Sequence, residues 1–277
     1  MWELECLPKD GGRLGSLRYA GQDLLTAPPP NFRPPSRDYG KYETRPVYGY
    51  DDCFPTVDPC NLPARRGPVC DHGELCWQPW EVLAGRDQVR FSTKSEKLQV
   101  TFERCLEFAE SCITWQFEVK NRSDVALPFL HVMHALMPLR EIVRVQLPAF
   151  SQVVDESRGG SSGMLSPDEV EERLFALPQG KALMLLLRSV GSGSIIVTFK
   201  NRMGLEIKFP AELFPTLGIW WNNGGHPDEE GCRRTECAFE PIPGTWSSLA
   251  ASFRDGTYLS APANGSVKWA IIWAIHN

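Results

Sequence analysis

Between Gln88 and Asn121 the apolar residues keep to every second position. Val89 and Phe91 come first, then Leu98, Val100 and Phe102, then Ile113, Trp115, Phe117 and Val119. Side chains alternate across a strand, so this spacing predicts strands with one face on a core. The breaks at Thr93–Lys97, Ala109–Ser111 and Asn121–Asp124 are short and polar. Breaks of that length join antiparallel neighbours, because parallel strands need a long crossover. The same signal predicts strands at Ala182–Arg188, Ser194–Phe199, Leu205–Phe209, Thr216–Trp221, Glu236–Pro241 and Val267–Ile275. Leu127–Leu139 is apolar throughout, as a strand covered on both faces would be. Gly11–Leu25 reads as two short strands around an Ala20-Gly21-Gln22 turn, and Asn201–Gly204 as a hairpin turn whose glycine supplies the positive φ.

One helix is legible, near 167–177. Ser166 can cap it, Pro167 suits its first position, Glu169 stands three residues after the cap, and Val170, Leu174 and Leu177 form a stripe. Ala27–Pro35 holds too much proline for a regular element, and Ser157–Ser162 reads as a Gly/Ser loop. With one helix, no βαβ rhythm and no composition shift, the 277 residues are expected to form a single domain, 1–277: an all-β, large antiparallel sandwich.

Charge and cysteine content narrow the function. A net charge of −5 with only short basic runs, Arg65-Arg66 and Arg233-Arg234, argues against a nucleic-acid partner. No apolar run is long enough for a membrane helix, and Met1-Trp2-Glu3-Leu4-Glu5 does not resemble a signal peptide. Nine scattered cysteines, an odd number with no Cys-x-x-Cys pair, suggest reduced thiols in a cytoplasmic protein and no metal centre. No nucleotide-binding glycine motif and no Gly-x-Ser-x-Gly elbow is present.

The polar residues that could carry chemistry cluster around Tyr50–Val57 and Asp71–Glu74, beside prolines, glycines and aromatics. His72, His131 or His134, and His226 are the histidines in suggestive settings. Taken singly, each also suits a structural hydrogen bond. Glu240, in Cys237-Ala238-Phe239-Glu240-Pro241, sits in a strand end apolar enough to strip its water and raise its pKa, which suits a general base near neutral pH. Its structural alternative is an ion pair with Arg233 or Arg234. Asp52 precedes an apolar corner. Trp77, Trp80, Trp220 and Trp221 offer flat surfaces that could cover the C–H face of a sugar, with Asn222 and Asn223 for its hydroxyls. Adjacent Trp220 and Trp221 must point to opposite faces of a strand, so they cannot both be core.

In their order along the chain these pieces resemble the aldose 1-epimerase (galactose mutarotase-like) superfamily. The resemblance rests on Gly11-Gly12-Arg13-Leu14-Gly15-Ser16-Leu17 with Gly21 and Leu24-Leu25, on Asp52-Cys53-Phe54-Pro55, on His72-Gly73 followed by Pro79-Trp80-Glu81-Val82, on His131-x-x-His134, and on Phe239-Glu240-Pro241. It implies a β-supersandwich with a sugar cleft and an isomerase that interconverts sugar anomers by acid–base ring opening and closure. By this analogy Glu240 takes the anomeric proton, His134 donates one to the ring oxygen, and His72 holds the substrate, with Asp52, Trp77, Trp221 and Asn223 as further contacts. No metal or organic cofactor is implied. The partner is a monosaccharide or a sugar phosphate, the latter needing a cationic pocket from Lys41, Arg65 or Arg66. A non-catalytic carbohydrate-binding protein is the alternative. A hydrolase would need two facing carboxylates, with Asp52 and Glu240 as the pair to inspect. The family usually places a sugar-binding arginine near the Cys-Phe-Pro segment; here Asp51-Asp52 precede it, and the nearest arginines are Arg45, Arg65 and Arg66.

Overall fold

The computed structural model describes residues 1–28, 40–63, 67–158, 160–163, 165–227 and 233–276. Most of the Pro-rich stretch, together with Arg65 and Arg66, lies outside them. The chain is built of antiparallel sheets. The largest has eight strands, in the order Ile142–Gln146, Ser194–Phe199, Gly204–Lys208, Ser266–His276, Cys112–Asn121, Val100–Phe108, Gln88–Ser95 and Glu81–Ala84. The predicted meander is its second half, with Trp115 opposite Leu106 and Phe117 opposite Arg104.

Facing it are two five-stranded sheets that meet along a seam. One runs Trp2–Leu7, Arg13–Tyr19, Tyr50–Cys53, Val132–Ala135, with Gln22–Asp23 paired to the second strand. The other runs Gly160–Gly163, Gln152–Asp155, Lys181–Arg188, Thr216–Asn223, Thr235–Ile242. Met137 and Cys237 exchange backbone hydrogen bonds of 2.7 and 3.0 Å across the seam, so the second sheet continues the first. The alternation then sorts every side chain. Tyr50, Met133, Ala135, Cys237, Phe239, Ile219 and Trp221 point into the main core against the eight-stranded sheet. Cys53, Val132, Leu136, Ala238, Ile242, Met184 and Trp220 belong to two smaller clusters on the opposite face.

The helix spans Pro167–Phe175 with both halves of its capping box formed: Ser166 Oγ accepts from Glu169 N, and Glu169 accepts from Ser166 N. Val170 and Leu174 are fully buried, and Glu171 accepts a 2.7 Å hydrogen bond from Val145 N on the neighbouring edge strand. Four expectations need correction. Leu127–Leu139 is not one strand: Leu127–Phe129 pairs with Leu259–Ala261, and Val132–Ala135 pairs with Tyr50–Cys53, so the chain changes sheets at Leu130-His131. Ser157–Ser162 is not an open loop, because Gly160–Gly163 pairs with Gln152–Asp155. The positive φ of the 201–204 turn falls on Arg202, at 72°, and not on Gly204. A second helix, Leu249–Arg254, is too short to leave a sequence period. No helix among the described residues is long and apolar enough to cross a membrane, and the eight described cysteines are free thiols.

Candidate active site

On the outward face of the seam lies a cleft of about 450 Å³, within the usual range for small-molecule sites. Strand parity supplies its floor. Val132–Ala135 presents His134, which stands opposite Asp51 in the ladder, and Thr235–Ile242 presents Glu236 and Glu240. Gly218 lies opposite Glu240 on the next strand, and a Cβ there would come within 3.3 Å of the Glu240 Cβ. The missing side chain leaves the glutamate room. Glu240 is 3% exposed, and no hydrogen-bond or ion-pair partner is found for it among the described residues. Burial, then Glu156 and Asp58, push its carboxyl up to about 8. Asp58, at the cleft mouth, is lifted to about 6 by desolvation, Glu156 and Asp71.

His134 is held from behind. The Tyr42 hydroxyl donates to Asp51 Oδ2 at 3.0 Å and lies 3.0 Å from His134 Nδ1. Asp51 in turn lies 3.0 Å from Arg13 Nη1 and 3.7 Å from Arg45 Nη2, all of them buried. The tyrosine has one proton, and the Asp51 carboxylate can only accept, so Nδ1 of His134 must carry the hydrogen. Its Nε2 is left with a bare lone pair. Burial, then the nearby His72 and Arg234, hold His134 well below the usual imidazole pKa, so it stays neutral.

His72 follows the same logic. Its Nδ1 is 2.9 Å from Asp71 Oδ1, and its ring stacks on Tyr42 with centroids 3.6 Å apart. The turn that aims it needs left-handed backbone at both His72 (59°) and Gly73 (74°), and a Cβ on Gly73 would lie 1.9 Å from Phe54 O. Only glycine fits there. Trp220, Arg234 and His226 complete one wall, with Arg234 Nε 2.9 Å from Glu236 Oε1 and not on Glu240.

His72, His134 and Glu240 thus meet in one cleft. Four other candidates are placed elsewhere. Asp52 is fully buried on the core side, paired with Arg104 and 2.9 Å from His131 Nε2. It faces away from Glu240, so no two-carboxylate pair forms between them. Trp221 is 2% exposed and packs edge-on to Phe175, so Trp220 is the ring that reaches the cleft. Asn223 donates to Leu177 O at the end of the helix, while Asn222 holds the His226 turn through His226 O at 2.7 Å. Trp77 lies beneath Arg45, off the cleft lining. Sequence reasoning passed over Tyr42, Asp58, Glu156 and Ser247. They come from loops and short turns where no period marks them. The outer face of the eight-stranded sheet has a larger hollow, about 590 Å³, but its lining includes no histidine among the described residues.

No family model matches this chain, and no curated protein matches it in sequence. Solved structures do. An aldose 1-epimerase candidate from Escherichia coli K12 superposes with a TM-score of 0.73 over 99% of this chain and 96% of its own, at 14% identity. The Slr1438 protein of Synechocystis sp. PCC 6803 gives 0.70 over 98% and 91%, at 18% identity. A galactose mutarotase-like protein from Clostridium acetobutylicum gives 0.69 over 100% and 93%, at 16% identity. The fold is that of the galactose mutarotase-like proteins. At these identities the likeness carries the mutarotase-like architecture and leaves the chemistry to the chain's own residues.

Proposed function

We propose that the cleft binds an unphosphorylated monosaccharide and interconverts its anomers. The observation that carries this reading is a buried carboxyl, Glu240, with no partner among the described residues, lining the same cleft as a histidine whose Nε2 is bare. The pair holds one proton between them, and in the free protein that proton rests on Glu240. The roles are therefore the reverse of those the sequence led us to expect. Glu240 gives its proton to the ring oxygen as the C1–O5 bond breaks. His134 Nε2 takes the anomeric hydroxyl proton as C1=O forms. After rotation about C1–C2, the same two transfers run backwards on the other face and restore both groups. Each step of this kind is worth about 10²–10⁴-fold. His72 Nε2 is free to accept from a sugar hydroxyl, and the Trp220 face is suited to the sugar's C–H side.

The charge of the lining supports a neutral substrate. Among the described residues, Asp58, Asp71, Glu156 and Glu236 stand against Arg234, which is already paired with Glu236. A phosphate would meet like charge. Polarimetry on freshly dissolved α-anomers of several aldoses tests the reading. The wild-type protein should accelerate anomerisation of a free aldose, and Glu240→Gln should lose about 10²–10⁴-fold of that rate. Saturable sugar binding with no acceleration over Glu240→Gln would overturn catalysis and leave a carbohydrate-binding protein.

A further inference from the structure

Two imidazoles of the cleft lie beside a buried thiol. Cys53 Sγ, a ring nitrogen of His72 and a ring nitrogen of His134 all lie within 4.8 Å of one another. We propose that these three residues form a binding site for a thiophilic divalent transition ion, Zn²⁺ or Co²⁺, which competes with sugar turnover in the same cleft.

Two features carry this beyond proximity. First, both imidazoles are turned by partners at Nδ1: Asp71 for His72 at 2.9 Å, and Tyr42, backed by Asp51, for His134 at 3.0 Å. An oxygen partner on the far nitrogen is how ligating histidines are oriented and their tautomer fixed. It leaves Nε2 of each as the nitrogen available to a metal. Second, the spacing suits a small ion. A point central to three atoms no more than 4.8 Å apart lies at most about 2.8 Å from each, so bonds of about 2.0–2.3 Å need an inward shift of well under 1 Å per ligand. One sulfur and two nitrogens select against Ca²⁺ and Mg²⁺, which take oxygen. The fourth position opens on the cleft, where water or a sugar oxygen can fill it. Binding converts the Cys53 thiol to a metal thiolate and releases its proton to solvent, with no change of oxidation state.

The site does not depend on the sugar reading; only the competition does. Co²⁺ titration of the chelator-stripped, reduced full chain separates the two. The expected result is one equivalent bound with a sulfur-to-cobalt charge-transfer band and the intense visible bands of tetrahedral Co²⁺. Cys53→Ala should abolish the charge-transfer band. His72→Asn, a residue that tolerates the left-handed backbone, should weaken binding about tenfold or more, and Tyr42→Phe about 10–100-fold through the lost orienting bond. Zn²⁺ should inhibit anomerisation reversibly in the wild type and not in Cys53→Ala, each measured against its own metal-free rate. A band that survives Cys53→Ala, or affinity unmoved by His72→Asn, would place the metal at other thiols and overturn the site. Stoichiometric Co²⁺ binding in a protein that never accelerates anomerisation would sink the sugar reading and leave the metal site standing.

Discussion

Asp51 and Asp52 are neighbours on one strand, both buried, and they lead opposite lives. Asp51 points outward to Arg13, Arg45 and the Tyr42–His134 bridge under the cleft. Asp52 points inward to Arg104, Tyr50 and His131. Each network ends in a histidine, three residues apart on the partner segment. His131 spends Nε2 on Asp52 and keeps a buried, unpartnered Nδ1. His134 spends Nδ1 on Tyr42 and turns Nε2 toward solvent-reachable space. The composition of the two networks is nearly the same. What differs is strand parity, and parity alone decides which one can touch a ligand.

The largest effect that should separate them is on stability. Breaking a buried ion pair by removing one partner costs about 3–5 kcal/mol. Asp52→Ala strands the Arg104 guanidinium in the core, so denaturant unfolding should show a loss of that size. Anomerisation per folded molecule should be unchanged. If activity fell along with stability, the inner network would not be sealed from the cleft. At low pH the same network weakens. Burial alone would raise Asp52, but Arg104 and then His131 hold it below the ordinary carboxylate range. Its contribution is thus present above the unfolded carboxylate pKa and lost as pH falls through the lower folded value.

Glu240 should behave with the opposite sign. Its folded pKa of about 8 stands above the unfolded value of 4.5. Between those two values the unfolded chain binds fewer protons than the folded one, so stability falls as pH rises. At its steepest the slope is about 1.4 kcal/mol per pH unit. Glu240→Gln removes the ionisation and should flatten this slope, leaving the variant more stable than the wild type at pH 8 while inactive. Urea unfolding at pH 5 and pH 8 checks it, and parallel slopes for the two proteins would show that Glu240 is not desolvated.

The same contrast explains what could be read from the chain. The strands were legible because one face of each meets a continuous core, which writes period two into Val100–Phe108 and Cys112–Asn121. His72, His134 and Glu240 were legible because they sit beside fixed backbone features: a glycine turn, an apolar strand and a Pro-ended strand. Parity was not. Nothing local says whether Trp220 or Trp221, Asn222 or Asn223, Asp51 or Asp52 takes the outer face, since that depends on which side the eight-stranded sheet covers. Tyr42 was hidden for another reason. Its short 3₁₀ turn, Tyr42–Thr44, follows undescribed Pro-rich chain, and its role is set by contacts 9 and 92 residues away.

Tyr42→Phe gives the smallest effect and the finest test of the outer network. The ring keeps its stack on His72, so packing should survive. Only the hydroxyl bridge is lost. A neutral hydrogen bond of this kind is worth about 0.5–1.5 kcal/mol, or roughly twofold to twelvefold in rate if it acts through the orientation of His134. Without the bridge, Nδ1 need not carry the proton, and the imidazole can rotate or adopt the other tautomer with Nε2–H toward the cleft. The rate should therefore fall in kcat more than in KM, because a mis-set tautomer spoils proton transfer more than binding. A change confined to KM would make Tyr42 part of the sugar's surface, and no change in either would mean that His134 is held by its strand alone.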